Sequence, residues 1–140
     1  EMTRRYLNTD RSRGIALSDG KAACDYLMPK FAYCKEEIAL LVTLDSAARV
    51  IKCRRISEGM ANQVFVSSRE IVDFALRDNA PKVILAHNHV SGLALPSAAD
   101  LAATERIRNA LALISVELVD HIVVSDGDAV SIRDSGWGRR

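Results

Sequence analysis

Apolar residues along the chain switch between helical spacing and short unbroken runs, which indicates a domain that contains both helices and strands. The first helical pattern follows Ser18, which can cap a helix, and Pro29 should end or kink that helix. Its apolar face consists of Ala23, Tyr26, Leu27 and Phe31. We therefore expect one helix before the first strand.

Strand patterns come next. Residues 38–44 (IALLVTL) form a continuous apolar run of the kind found in strands covered on both faces, and a turn at 45–48 leads into a second strand at 49–53. This pair is predicted to be a hairpin. Residues 64–66 (VFV) predict a further strand.

The second half of the chain alternates in the same way. Ser67 or Ser68 should cap a helix, residues 78–81 (DNAP) break it, and a buried strand at 83–86 leads directly into His87-Asn88-His89. A long helix is expected from Pro96-Ser97, followed by two strands at 116–124 and 129–132 that are joined by Asp126-Gly127. This order predicts a single α/β domain in two or three layers, with helices flanking a mixed central β-sheet.

Composition excludes several classes of protein without identifying a function. The 140 residues carry a formal charge of +1, so overall charge makes no case for nucleic-acid binding, although arginines gather near both ends and at Arg54-Arg55. Three cysteines without a CxxC spacing argue against a disulfide framework and a zinc ribbon, which favours the cytoplasm. The first fifteen residues lack the apolar core of a signal peptide, and no apolar run is long enough to span a membrane. We expect residues 1–15 to be an Arg-rich arm and 16–140 to be the domain.

Residues 86–100 (AHNHVSGLALPSAAD) contain the strongest candidate chemistry. His87 and His89 are two residues apart on an extended segment, so both side chains point to one side. Ser97 and Asp100 have the spacing of a helix cap, and a cap alone would explain them. A catalytic zinc site needs three protein ligands and a water, which His87, His89 and Asp100 can supply. Taken with the histidines, these residues favour a metal site, and because a carboxylate has two oxygens, capping and ligation by Asp100 do not exclude each other.

The pattern His87-x-His89, Ser97 and Asp100 resembles the zinc motif of the JAMM (MPN+) metalloproteases, and the wider context resembles their RadC branch. The resemblance runs from about residue 16 to residue 137. Its matching stretches are 38–51 (IALLVTLDSAARVI), 68–71 (SREI), 84–100, 104–106 (TER), 120–124 (DHIVV) and 135–137 (SGW). The resemblance implies a JAB/MPN domain of cytidine-deaminase-like fold that holds Zn²⁺ through His87, His89 and Asp100.

The same resemblance implies a hydrolase of peptide or isopeptide amides. Glu37 would act as general base on a zinc-bound water, with Glu36 and Glu58 as competing positions, and Ser97 would donate a hydrogen bond to the developing oxyanion. The substrate would be a peptide or protein conjugate, and oligomeric state is left open. His121 is expected to be a hydrogen-bonded core histidine.

Two other roles are compatible with the resemblance. RadC proteins are associated with DNA repair, and they commonly carry a helix-hairpin-helix module where this chain has only an Arg-rich arm, which weakens the case for nucleic acid. Non-catalytic MPN domains act as scaffolds, but these usually lack a zinc ligand. The chain also departs from RadC-like sequences at Val90, Gly59-Met60 and Ser68, and these departures bear on loop shape and substrate preference.

Overall fold

A computed structural model describes residues 14–56, 67–90 and 92–138. It contains three helices and five strands in these ranges, in the order α1, β1, β2, α2, β3, α3, β4, β5. The helices are α1 (Gly20–Leu27), α2 (Ser68–Arg77) and α3 (Ala98–Ala112). The strands are β1 (Ala39–Leu44), β2 (Val50–Ile56), β3 (Lys82–Asn88), β4 (Glu117–Ser125) and β5 (Asp128–Ser131).

The strands form one mixed sheet in the order β2-β1-β3-β4-β5. β1 pairs with β2 and with β3 in antiparallel orientation, β3 pairs with β4 in parallel, and β4 pairs with β5 as a hairpin. The parallel pair is possible because α3 provides the long crossover between β3 and β4. β1 and β3 are therefore interior strands, which agrees with their almost entirely buried residues.

Helices cover both faces of the sheet. On one face, α1 packs through Ala23 and Leu27 against alternate residues of the strands, including Val42 and Ile84. On the other face, α2 and α3 pack against the intervening residues, including Leu41, Val83 and Leu85. Because side chains alternate along a strand, each interior strand supplies both hydrophobic cores. The result is the predicted α/β domain, in three layers.

Most of the predicted elements are confirmed, but the cap of the first helix is not Ser18. The helix begins at Gly20, and the Asp19 side chain accepts a hydrogen bond of 2.8 Å from the backbone N–H of Ala22. Asp19 is one residue closer to the first apolar position, so its carboxylate takes the capping place. Pro29 lies in the 3₁₀ turn that follows α1, Met28–Phe31, as expected from a residue that cannot continue a helix.

Some sequence expectations fall outside the described residues. These are the strand at 64–66, Glu58, Gly59-Met60 and the arm up to residue 13. The chain is already paired at residue 14, because the Gly14 N–H donates to the Val50 carbonyl and Ala16 bridges to Arg49. No helix within the described ranges has the length and apolar character needed to cross a membrane.

Candidate metal centre at the end of strand β3

The carboxyl end of β3 presents different side chains to the two faces of the sheet. His87 follows Leu85 in the alternation and points toward the layer of α2 and α3. Asn88 points the opposite way. His89 lies just beyond the strand, where its backbone N–H donates to the Val124 carbonyl of β4 over 2.8 Å. This hydrogen bond keeps the chain extended as far as His89, so both imidazoles are on the same face.

Helix α3 begins beside these histidines with a complete capping box. The Ser97 hydroxyl accepts from the Asp100 N–H over 3.0 Å, and Asp100 Oδ2 accepts from the Ser97 N–H over 2.8 Å. Each side chain thus satisfies a backbone N–H that the helix leaves unpaired at its start. The cap holds Oδ2 and thereby fixes the orientation of the whole carboxylate, whose two oxygens face the histidines at the end of β3.

The side chains of His87, His89 and Asp100 lie together at this point and could hold a metal ion. His87 Nε2 lies 3.0 Å from Asp100 Oδ1, His89 Nε2 lies 3.1 Å from Asp100 Oδ2, and the two Nε2 atoms are 3.2 Å apart. His87 is buried, and the other two are partly exposed. Burial pushes the pKa of Asp100 upward, but hydrogen bonds from His87 and Ser97 outweigh it and hold that pKa well below its usual range. The carboxylate is therefore charged at neutral pH.

This geometry fits a small tetrahedral ion. Zinc bonds to imidazole nitrogen and carboxylate oxygen are about 2.0–2.2 Å long, which puts neighbouring donor atoms about 3.3–3.4 Å apart in a tetrahedron. The two Nε2 atoms are 3.2 Å apart, and each lies 3.0–3.1 Å from an Asp100 oxygen, Oδ1 for His87 and Oδ2 for His89, which is close to that spacing. Two imidazoles and one carboxylate also form a donor set that suits zinc and leave a fourth position open. These residues could hold a metal without rearrangement of the backbone.

Two further buried side chains extend the cluster inward. His87 Nδ1 lies 2.8 Å from Nε2 of His121 on β4, and His121 Nδ1 lies 2.5 Å from the hydroxyl of Thr104 on α3. That hydroxyl donates to the Asp100 carbonyl over 2.7 Å. Complete burial lowers the pKa of His121 to about 3, with the nearby His87 adding to the effect, so its ring is neutral. The expectation that His121 is a hydrogen-bonded core histidine is confirmed.

Glu37 lies two residues before β1 and is half-buried, whereas Glu36 is exposed. The side chain of Asn88 is hydrogen-bonded to the backbone on either side of Glu37. It accepts from the Ile38 N–H over 2.7 Å and donates to the Glu36 carbonyl over 3.1 Å. Within the described ranges, the Glu37 carboxylate makes no hydrogen bond to the His87, His89 and Asp100 group.

A cavity of about 880 Å³ opens next to His89. Its walls come from the 3₁₀ turn after α1 and from the β4–β5 turn, and they include Cys34, Ser125 and Asp126. Val90, Leu93 and Leu95, in the loop that leads to α3, expose apolar side chains nearby in sequence. Of the three candidate ligands, His89 is the one that lines this cavity, whose volume could accommodate a peptide-sized ligand.

Cys24 and Cys53 are poor candidates for an alternative nucleophile. Burial raises the pKa of the Cys24 thiol to about 11, with the charge of Asp120 adding to the effect. Burial also raises the pKa of Cys53. Thiols in this state are poor nucleophiles at neutral pH.

Comparison with known proteins agrees with this geometry. A model of the RadC-like JAB domain matches residues 17–137, which include every residue of the cluster. The chain belongs to the RadC-like JAB domain family. Its relatives include UPF0758 proteins of Cellvibrio japonicus, at 39% identity, and of Vibrio cholerae, at 42% identity. Each alignment covers 98% of this chain and 61% of the relative. The chain thus spans about three fifths of the length of these relatives.

Sequence reasoning about this RadC-like domain missed the parts played by Thr104, His121 and Asn88. Thr104 and Asn88 were assigned no role, and His121 was assigned only to the core. One signal was available, because His121 and Asp120 are polar residues inside an otherwise apolar strand pattern. Polar side chains in such positions must be hydrogen-bonded, but the pattern does not reveal their partners.

Proposed function

We propose that this domain is a zinc-dependent hydrolase that cleaves a peptide or isopeptide amide. The observation that carries the proposal is the convergence of His87, His89 and Asp100 with donor atoms 3.0–3.2 Å apart. When bound there, zinc would lower the pKa of a coordinated water toward about 7 and polarise the substrate carbonyl.

Strand register supports Glu37 as the general base. Ala39 is paired with His87 across β1 and β3, so continuing the antiparallel register two residues brings Glu37 opposite His89. Alternation then directs Glu37 to the same face as the histidines and Glu36 to the other face. Glu36 also has a neighbour of its own, since its Oε1 lies 4.0 Å from Nη2 of Arg55. In this role the Glu37 carboxylate takes a proton from the attacking water and passes it to the leaving nitrogen.

Ser97 is suited to stabilise the oxyanion that develops on the substrate. Its oxygen accepts from the Asp100 N–H, which leaves its own hydroxyl hydrogen free to donate. A hydroxyl held at a helix N-terminus is already oriented before the substrate arrives, and such preorganised donors favour the transition state.

The proposal is tested by comparing Glu37→Gln with His87→Ala and with the control Glu36→Gln. Zinc content is measured by elemental analysis, and hydrolysis is measured on quenched fluorescent peptides and on a lysine isopeptide conjugate. Glu37→Gln should retain zinc and lose hydrolysis by about 10²–10⁴-fold, since only the proton acceptor is removed. His87→Ala should lose both, and Glu36→Gln should keep both. A wild-type protein purified without any transition metal would contradict the proposal, and so would full turnover by Glu37→Gln.

The two alternatives, nucleic-acid binding and a non-catalytic scaffolding role, have less support. Of the internal arginine pair, Arg54 is bound to Asp78 over 2.6 and 2.9 Å, so it is not free to bind phosphate. A purely scaffolding role would not require a complete set of metal ligands. We also propose a cytoplasmic location, which is supported by an odd number of cysteines without the spacing of a disulfide framework.

A further inference from the structure

The hydroxyl of Thr104 determines the direction of the hydrogen bonds behind the metal centre. A carbonyl oxygen can only accept, so the 2.7 Å contact with the Asp100 carbonyl uses the single hydroxyl hydrogen of Thr104. The 2.5 Å contact with His121 Nδ1 must therefore have the ring N–H as its donor. His121 accordingly carries its proton on Nδ1.

The direction of these hydrogen bonds also determines which nitrogen of His87 is the donor to His121. A neutral imidazole protonated at Nδ1 has its lone pair on Nε2, and this atom of His121 lies 2.8 Å from His87 Nδ1. His87 must then donate from Nδ1. Its Nε2 contacts Asp100, and since Nδ1 is committed to His121, Nε2 is the atom at which a metal would replace the hydrogen shared with Asp100.

We propose that Thr104 and His121 form a positioning relay, which holds the proton of His87 on Nδ1 and thereby presents its Nε2 lone pair to the metal. This inference rests on the proposed function, since it assigns a role toward the same metal. The relay begins and ends on residues of the site, because Thr104 is bonded to the carbonyl of Asp100 and His121 to the ring of His87. Helix α3 thus orients both the carboxylate ligand and, through β4, the first histidine.

The partner of His87 Nδ1 is a neutral histidine and not a carboxylate, and this difference affects the charge of the site. Metal-bound histidines usually donate their second N–H to a carboxylate, a backbone carbonyl or a water. A carboxylate in this buried place would add a negative charge beside the ligands and reduce the net positive charge of the zinc centre. Neutral His121 fixes the tautomer without adding charge. The zinc would therefore retain more of its power to acidify a bound water.

The tautomer can be measured directly. Long-range ¹H–¹⁵N spectra of the wild-type chain, with and without zinc, distinguish a protonated Nδ1 from a protonated Nε2. We expect His87 and His121 to carry a proton on Nδ1 in both samples, and zinc to shift the Nε2 resonance of His87. An unprotonated Nδ1 on His87 would overturn the inference, whatever the protein hydrolyses.

Paired variants measure what the relay contributes to metal affinity. Thr104→Val removes the hydroxyl at nearly constant volume, and Thr104→Ser retains it. His121→Phe removes both ring nitrogens, and His121→Gln restores one acceptor and one donor. Zinc affinity, measured by competition with a chromophoric chelator, should fall about 10–100-fold in Thr104→Val and His121→Phe. It should recover largely in Thr104→Ser and His121→Gln.

The possible results separate this inference from the proposed function. If the wild type binds zinc and shows the expected tautomers but hydrolyses nothing, the proposed function fails and the relay stands. If zinc affinity is equal in Thr104→Val and Thr104→Ser, the relay is wrong and the hydrolase proposal is unaffected. If the valine and phenylalanine variants do not fold, the wild-type spectra alone still decide the tautomer.

Discussion

Asp100 shows how a single residue serves both the fold and the site. Its Oδ2 accepts the Ser97 N–H and completes the capping box, and its Oδ1 lies 3.0 Å from His87 Nε2. From the sequence, a helix cap and a metal ligand were compatible interpretations of this residue, because a carboxylate has two oxygens. The structure adds the geometry, in which the cap orients the carboxylate toward the histidines. The side chain therefore needs little reorganisation to bind a metal.

Two substitutions of Ser97 distinguish its role as a helix cap from its proposed role in stabilising the oxyanion. Ser97→Ala should lower the free energy of unfolding by about 1 kcal/mol, because alanine cannot cap, whereas Ser97→Gly should cost only a few tenths. Both variants lack the hydroxyl, so both should lose hydrolysis by about 10²–10³-fold if Ser97 stabilises the oxyanion. Urea unfolding and turnover of the same samples test this. Normal turnover in the glycine variant would show that the hydroxyl is only a cap.

Helices and strands could be predicted from the sequence because their signals are local. The apolar run at 38–44 and the helical spacing after Ser97 each lie within one element, and both predictions are confirmed. The pairing of His87 with His121 could not be predicted in this way. It depends on the parallel register of β3 and β4, which shifts between Val83 and Ile84, and the two histidines are 34 residues apart. Such a register is a property of the assembled sheet.

Contacts between elements also stabilise the edge of the sheet. Asp78 ends α2 and accepts hydrogen bonds from Arg54 on β2 and from Thr43 on β1. Asp78→Asn should lower the free energy of unfolding by about 1–3 kcal/mol at pH 7, because it leaves a partly buried guanidinium without its counter-charge. The control Asp73→Asn removes an exposed pair with Arg77 and should cost less than about 0.5 kcal/mol.

The effect of Asp78 should depend on pH. Burial raises its pKa, but hydrogen bonds from Arg54 and Thr43 outweigh burial, and the pKa of the folded state is lowered. The contribution of the Asp78 carboxylate to stability is therefore complete above its pKa in the unfolded chain, about 3.9. It is lost as the pH falls through the lower pKa of the folded state. Urea unfolding at pH 7, 5 and 3 should show a constant difference between wild type and Asp78→Asn at the two higher values and a smaller difference at pH 3. A difference that grows in acid would contradict this assignment.

The candidate metal centre is a property of the whole domain. Its ligands come from β3 and α3, the histidine behind them comes from β4, and the proposed base precedes β1. An unfolded chain has no such arrangement, so the metal should bind the folded state almost exclusively.

Zinc should therefore raise the melting temperature. At free zinc 100 times above the dissociation constant, the expected stabilisation is about 2.7 kcal/mol, which corresponds to several degrees. His87→Ala should show no shift, and magnesium should have little effect on the wild type, since it prefers six oxygen ligands. Differential scanning calorimetry provides the measurement. An equal zinc shift in His87→Ala would mean that the ion binds elsewhere, for example at the cysteines.

The candidate site depends on which face of the sheet each residue at the end of β3 points to. His87 points to one face and belongs to the metal-ligating group, while Asn88 points to the other and clamps the segment that carries Glu37. If β3 slipped by one residue relative to β1, these two faces would be exchanged, and both the clamp and the ligand would be lost together. A sheet paired in this wrong register would therefore lack both the Asn88 hydrogen bonds and the correctly placed His87. A chain paired in this wrong register is therefore expected to bind no metal at this site.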